Sequence, residues 1–264
     1  MIVVVGLGNI GIAIAARISE CGRDVLGVDL AAERRDEWRA VTGRSAVADL
    51  AEVPWPEITH VYVVVRLTNQ AEAVLQRLVE LPVPRGIPVF LNTTLELDYA
   101  RGLGRYAERP WRLIELPVSG GDSGARAGTL TVMAAGPLEA SDREYLLSTS
   151  ANEVVGFAEF GDPTLAKLLN NVSAAYTALS YAEMMLLADG MGMEPRRLAE
   201  VLRTSSGGSW MGDHFVNLVD DLLGKDVVLL RKELGTLPVV SLEDDDHLLS
   251  RLAEARAMLT RPAR

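Results

Sequence analysis

The first eleven residues constrain the fold more than any other stretch of the chain. Ile2-Val3-Val4-Val5 is an unbroken apolar run, Gly6-Leu7-Gly8-Asn9-Ile10-Gly11 follows at once, and residues 9–20 then carry alanine and isoleucine at helical spacing. An apolar run without polar alternation reads as a strand buried on both faces. A G-x-G-x-x-G turn between such a strand and a helix is the entry to a doubly wound parallel sheet and a cradle for a dinucleotide. Gly6 permits the tight turn, Gly8 lets the backbone approach a pyrophosphate, and Gly11 lets helix and strand pack closely. The amides of Asn9 and Ile10 then face the phosphates at the helix N-terminus. The bland alternative is a glycine-rich turn with no ligand.

Residues 24–28 form a second strand that ends at Asp29. A carboxylate there accepts hydrogen bonds from the ribose hydroxyls and repels a 2′-phosphate, which favours NAD over NADP. Arg34 and Arg35 stand close by in sequence and keep NADP possible. Further strands are expected at 60–65, 87–91, 112–116, 129–134 and 152–157. Helices are expected at 31–41, 69–80, 95–107 and 137–147. This alternation argues for a Rossmann-type, mostly parallel doubly wound sheet. After Gly161 the pattern turns wholly helical. Asp162 is a helix cap, Pro163 suits the first helical position, and Thr164 to Asp189 runs without a breaker to Gly190. The expected division is an α/β dinucleotide-binding domain over 1–161 and an all-α substrate and dimerisation domain over 162–264. The long helix is apolar or small on nearly every face, so its burial calls for a second copy of the chain, as a homodimer or larger homo-oligomer. The acidic run Glu243-Asp244-Asp245-Asp246 reads as a solvated helix start.

Charge narrows the partners. The 264 residues carry a net charge of −10 and contain no lysine/arginine run, which argues against nucleic acid and anionic membranes. The single cysteine, Cys21, allows no intrachain disulfide and suggests a reducing compartment. With no leader-like or membrane-spanning segment read at the N-terminus, a cytoplasmic location is expected. No cysteine pair or histidine cluster suggests a metal. Of 26 basic residues only Lys167, Lys225 and Lys232 are lysines. A chain that otherwise uses arginine invites a reason for each lysine. The chemical difference is that a desolvated lysine can release its proton near neutral pH and arginine cannot.

Two further constellations carry chemistry. Pro117-Val118-Ser119-Gly120-Gly121 follows a strand, where successive unhindered amides can form a nest for a carboxylate, with the Ser119 hydroxyl beside them. A simple turn before the next strand is the alternative. Lys167, Asn170 and Asn171 share one face near the start of the long helix. Three polar groups on a buried surface need partners, which a substrate could supply. Nearby loops could equally supply them.

Taken in order, these segments resemble the β-hydroxyacid dehydrogenase family, which includes 3-hydroxyisobutyrate and 6-phosphogluconate dehydrogenases. Gly6 to Gly11 looks like its cofactor loop. Glu115 through Gly121, continuing to Gly128-Thr129-Leu130, is similar to its substrate signature, and Lys167-Leu168-Leu169-Asn170-Asn171 to its K-x-x-N-N. Lys225-Asp226 resembles a later Lys-Asp pair whose lysine lies near the cofactor. Asn92-Thr93-Thr94 resembles the loop beside the nicotinamide, usually D-x-S-T. The resemblance implies hydride transfer between nicotinamide and a small 3-hydroxy acid, or the matching semialdehyde or 3-keto acid. It implies Lys167 as general acid/base, Asn171 orienting the substrate, Ser119, Gly120, Gly121 and Asn170 binding it, and Leu67, Thr94 and Lys225 on the cofactor side. Three departures stand out: Glu115 where Asp is usual, Leu67-Thr68 where Leu-Pro is common, and a shortened region after Lys225. Other readings are an imine-reductase-like enzyme, which more often carries Asp or Tyr at the position of Lys167, and a sensor or scaffold that binds NAD without turnover.

Overall fold

In the computed structural model, which describes residues 1–217, 220–238, 240 and 245–259, the opening apolar run forms β1 (Ile2–Val5) and the glycine turn leads directly into α1 (Asn9–Glu20). The chain continues through β2 (Val25–Val28), α2 (Ala32–Thr42), β3 (Ala46–Val47), β4 (His60–Val63), α3 (Thr68–Glu80), β5 (Pro88–Leu91), α4 (Leu97–Arg101) and β6 (Arg112–Glu115). These six strands form one parallel sheet in the order β3-β2-β1-β4-β5-β6.

Apart from His60 in β4 and Arg112 and Glu115 at the ends of β6, the strands carry only apolar or aromatic side chains, because both faces are covered. Successive side chains point to opposite faces. Ile2, Val4, Tyr62, Phe90 and Ile114 pack with Ile12, Ile14 and Ile18 of α1 on one side. Val3, Val5, Val61, Val63, Val89 and Leu91 pack with Leu75 and Leu78 of α3 on the other. Each fully buried aliphatic side chain contributes about 1.5–3 kcal/mol, so the two layers fix the strand register firmly. That register aligns Val5 with Val28 and Val63, Val63 with Leu91, and Leu91 with Glu115. The segments after residues 5, 28, 63, 91 and 115 therefore all leave one edge, the carboxyl end of the sheet.

After β6 the structure departs from a single continuous sheet. The chain turns at Pro117 and forms β7 (Val118–Ser119), α5 (Gly121–Ala127), β8 (Leu130–Ala134), α6 (Ala140–Thr149) and β9 (Ala151–Gly156). β7, β8 and β9 make a separate three-stranded sheet, with β7 antiparallel to β8. The two sheets meet where Glu115 and Ala135 exchange both backbone hydrogen bonds. The glycine-rich stretch 121–127, for which no element is expected from sequence, is helical. The expected helix at 95–107 is instead α4 followed by a 3₁₀ turn, Gly102–Tyr106.

The rest of the described chain is helical: α7 (Asp162–Gly190), α8 (Pro195–Thr204), α9 (Trp210–Asp213), α10 (Asp220–Leu234) and α11 (Asp245–Leu259). Leu168 and Val172 of α7 bury against Leu230 of α10. The distal half of α7 is uncovered within one chain, with Leu179, Leu186, Leu187 and the following Met191 all more than half exposed. Of the acidic run at 243–246, Asp245 opens α11, while Glu243 and Asp244 lie outside the described residues. Among the described residues no helix is long and apolar enough to cross a membrane.

Candidate active site

The glycine loop is shaped for a ligand rather than for packing alone. Gly6 has φ +95°, and a Cβ there would lie 2.4 Å from the Val64 carbonyl oxygen. A Cβ on Gly11 would lie 1.9 Å from the Gly6 carbonyl oxygen. Both positions exclude any side chain for internal reasons. Gly8 is different, because nothing stands within 4 Å of its would-be Cβ. It precedes α1 as an N-cap with no side-chain hydrogen bond, so the first amides of α1, at Asn9 and Ile10, face open space. Uncapped amides and an unhindered approach fit a pyrophosphate.

Asp29 holds this loop in place. Its carboxylate accepts the Leu7 N–H at 2.7 Å and the Ala31 N–H at 2.9 Å. Each oxygen keeps a lone pair for a ribose hydroxyl. Leu7 itself is fully buried and its amide is engaged by Asp29, so its side chain serves the core. Arg34 pairs with Glu37, and Arg35 donates to the carbonyls of Asp29 and Leu30.

The loops after β4 and β5 are drawn together by α10. The Lys225 ammonium donates to the Arg66 carbonyl at 2.9 Å and the Thr94 carbonyl at 3.3 Å. Leu67 is half-exposed at the start of α3 on the same edge. Asn92 is buried and donates to the Leu116 carbonyl at 3.0 Å, which joins this edge to the Ser119 loop, and its own carbonyl oxygen is buried without a protein partner.

Glu115 connects the sheet to α7. It is fully buried, and its carboxylate accepts the Gly161 N–H at 2.6 Å and the Thr164 N–H at 2.9 Å. A carboxylate at a helix N-terminus satisfies two orphan amides and complements the helix dipole. Burial pushes its pKa up, against those hydrogen bonds. Lys167 stands one turn beyond Thr164, so Glu115 sets its position.

Around Lys167 the polar face of α7 is organised by Asp226. The Asn171 amide donates to Asp226 at 2.5 Å, and Lys225 lies 3.9 Å from the same carboxylate. Asn170 donates to the Asn171 side-chain oxygen at 3.0 Å and reaches Ser119 Oγ at 3.4 Å. Lys167 has no hydrogen-bond partner among the described residues. Burial drives its pKa down to about 8, moderated by the Asp226 charge and deepened by Lys225. Lys225 is also lowered and Asp226 raised, both mainly by burial. Lys167, Asn170, Asn171, Ser119 and Lys225 are thus gathered at one mouth, with the glycine loop on the same edge of the sheet. The sequence names Asp226 only as the partner of Lys225 in a Lys-Asp pair and gives it no role; its contacts with Asn171 and Lys225 appear only in the structure. Among the described residues no group of three His, Cys, Asp or Glu is arranged to hold a metal.

Comparison with known proteins gives the class. Residues 1–157 match the NAD binding domain of 6-phosphogluconate dehydrogenase, and residues 161–226 match the NAD-binding region of NADP-dependent 3-hydroxyisobutyrate dehydrogenase. L-threonate dehydrogenase of Cupriavidus necator is 32% identical over 243 residues, covering 88% of this chain and 80% of that enzyme. Human mitochondrial 3-hydroxyisobutyrate dehydrogenase is 28% identical over 218 residues, covering 80% of this chain and 63% of that enzyme. A solved 3-hydroxyisobutyrate dehydrogenase from Salmonella typhimurium superimposes with a TM-score of 0.73 at 25% identity, covering 90% and 89% of the two chains. Fold and site thus define a nicotinamide-dependent oxidoreductase. The chain belongs to the β-hydroxyacid dehydrogenase family, and its cofactor is NAD(P).

Proposed function

We propose that this enzyme interconverts a small 3-hydroxy acid and the matching semialdehyde or 3-keto acid, with Lys167 as the general acid/base. The observation that carries the reading is a half-buried lysine with no hydrogen-bond partner and a pKa near 8, flanked by Asn171 and the Ser119 loop. In oxidation the neutral Lys167 Nζ takes the hydroxyl proton, and in reduction its ammonium returns one. Ser119 Oγ and the amides of Gly120 and Gly121 hold the carboxylate. Asn170 supports Ser119, and Asn171, oriented by Asp226, holds the reacting oxygen. Bound nicotinamide supplies the hydride chemistry. Gly6, Gly8, Asn9, Ile10 and Gly11 form its phosphate cradle, with Leu67, Thr94 and Lys225 flanking its far end.

NAD is the preferred form, because Asp29 stands where a 2′-phosphate would meet a carboxylate. The engagement of Arg34 with Glu37, and of Arg35 with backbone carbonyls, supports this preference. The working division is 1–161 for cofactor binding and 162–264 for the substrate and a homodimer contact along α7. The uncovered leucines of α7 support that contact, and the single cysteine fits a cytoplasmic enzyme. The test is nicotinamide absorbance with NAD and NADP across 3-hydroxy acids such as L-threonate, L-serine and 3-hydroxyisobutyrate, the substrates named in related enzymes. Turnover lost in Lys167→Met with cofactor affinity kept is the expected result. Retained turnover would remove Lys167 from the chemistry. Cofactor binding without turnover on any acid would favour a sensor.

A further inference from the structure

The amino end of the sheet carries a cavity of about 500 Å³, remote from the glycine loop. It opens where β1, β4 and β5 begin, at Ile2, His60 and Pro88, and is closed on one side by Ser141, Asp142 and Tyr145 of α6. The glycine loop and the loops after β4 and β5 leave the opposite ends of the same three strands, so the cleft and these loops are separated by the length of the sheet. We propose that this cleft binds a small organic anion carrying a planar group beside its carboxylate or phosphate.

Charge is the first argument. The chain is acidic overall, and arginines such as Arg34, Arg39, Arg44 and Arg77 each pair with a nearby carboxylate. The guanidinium groups of Arg23 and Arg85, which line the cleft, have neither a hydrogen bond nor an ion pair among the described residues. The one carboxylate in the cleft, Asp142, is already neutralised. Arg112 grips it with two hydrogen bonds, at 2.5 and 3.0 Å, and the Glu139 N–H donates to it as well. Two cations without protein counter-charges therefore face a concavity of ordinary ligand-site size.

Shape and chemistry give the second argument. His60 stacks on Tyr145 with ring centroids 4.2 Å apart and planes 27° apart, and Tyr145 lies parallel to Phe90 behind it. Burial lowers the His60 pKa to about 4, so the ring stays uncharged at neutral pH. Uncharged aromatic side chains lining the same cleft as two arginines suit a flat group with an attached anion. With Asp142 held by Arg112, the cleft reads as a binding site.

The test uses the full chain saturated with NAD, so that the cofactor cradle is filled. Phenyl phosphate and inorganic phosphate are titrated by calorimetry. Phenyl phosphate is expected to bind at one site and several-fold more tightly than inorganic phosphate. The double variant Arg23→Ala/Arg85→Ala is expected to weaken phenyl phosphate at least about tenfold, since each lost charge-assisted contact alone reaches that scale. Both arginines are exposed, so the variant should keep its melting temperature and turnover. No saturable binding up to about 10 mM, or binding undiminished in the double variant, would overturn the site. Equal affinity for the two probes would overturn the planar-group assignment.

Discussion

The Lys167 assignment makes a quantitative prediction about pH. With a pKa near 8, the neutral amine makes up about 1% of the enzyme at pH 6, about 10% at pH 7 and about half at pH 8. The kcat/KM for oxidation, which reports the free enzyme, should therefore rise about tenfold from pH 6 to 7 and level off by about pH 9. Asp226 favours the ammonium, so Asp226→Asn should move the inflection to lower pH, by about one unit. The same shift has a stability counterpart of known sign. The folded pKa lies below the ordinary 10.5, so between pH 8 and 10.5 the unfolded chain binds more protons and stability rises with pH. Below pH 8 the burial penalty is complete, at most about 3 kcal/mol at 1.36 kcal/mol per unit. Lys167→Met removes it, so this variant should be more stable than the parent at pH 7, and the gain should vanish near pH 10.5. The assays are a pH–rate series with the best hydroxy acid and urea unfolding of parent and variant at pH 7 and 10. A flat profile from pH 6 to 9, or an inflection in Asp226→Asn displaced to higher pH, would refute the reasoning.

Three further outcomes follow from single contacts. Gly8→Ala should leave the apo protein as stable as the parent and weaken NAD binding at least about tenfold, whereas Gly11→Ala, which drives a Cβ into the Gly6 carbonyl, should lower the melting temperature; thermal scans with and without NAD separate the two. Asp29→Ala should reduce the NAD-over-NADP preference in kcat/KM and also destabilise the loop by about 1–2 kcal/mol, because the Leu7 and Ala31 amides lose their acceptor. Glu115→Gln should destabilise by about 1–3 kcal/mol in urea unfolding, since its new amide group must face one of two backbone donors in a sealed site.

The strand-turn-helix around Gly6–Gly11 was legible in sequence because its signals are local, lying within twenty residues, and the place of Asp29 at the end of β2 follows from the length of one helix and one strand. The division into buried strands was equally legible, since two-sided burial leaves an unbroken apolar run. The separate β7-β8-β9 sheet was not. Its strands look like those of the main sheet, and only the reversal at Pro117 and the Glu115–Ala135 exchange, a contact over twenty residues, assign them elsewhere. α5 was hidden for another reason: residues 121–127 include two glycines and lack an apolar stripe, and the helix is held by its neighbours in place of its own propensity.

The charge balance around Asp226 explains why such a site can wait for its substrate. With both lysines protonated, Lys167 and Lys225 outweigh the single Asp226 by one positive charge, and Arg66, whose side chain has no hydrogen bond or ion pair among the described residues, adds to it from the rim. A carboxylate substrate entering over Ser119 supplies the missing negative charge and should raise the Lys167 pKa, whereas an oxidised nicotinamide adds positive charge and should lower it. The two ligands thus act in opposite directions on one amine. On the proposed role of Lys167, a binary complex with oxidised cofactor favours the neutral base that oxidation needs, and a bound carboxylate with reduced cofactor favours the acid that reduction needs. Lysine can serve both directions because its depressed pKa lies between them, and arginine, used almost everywhere else in this chain, could serve neither.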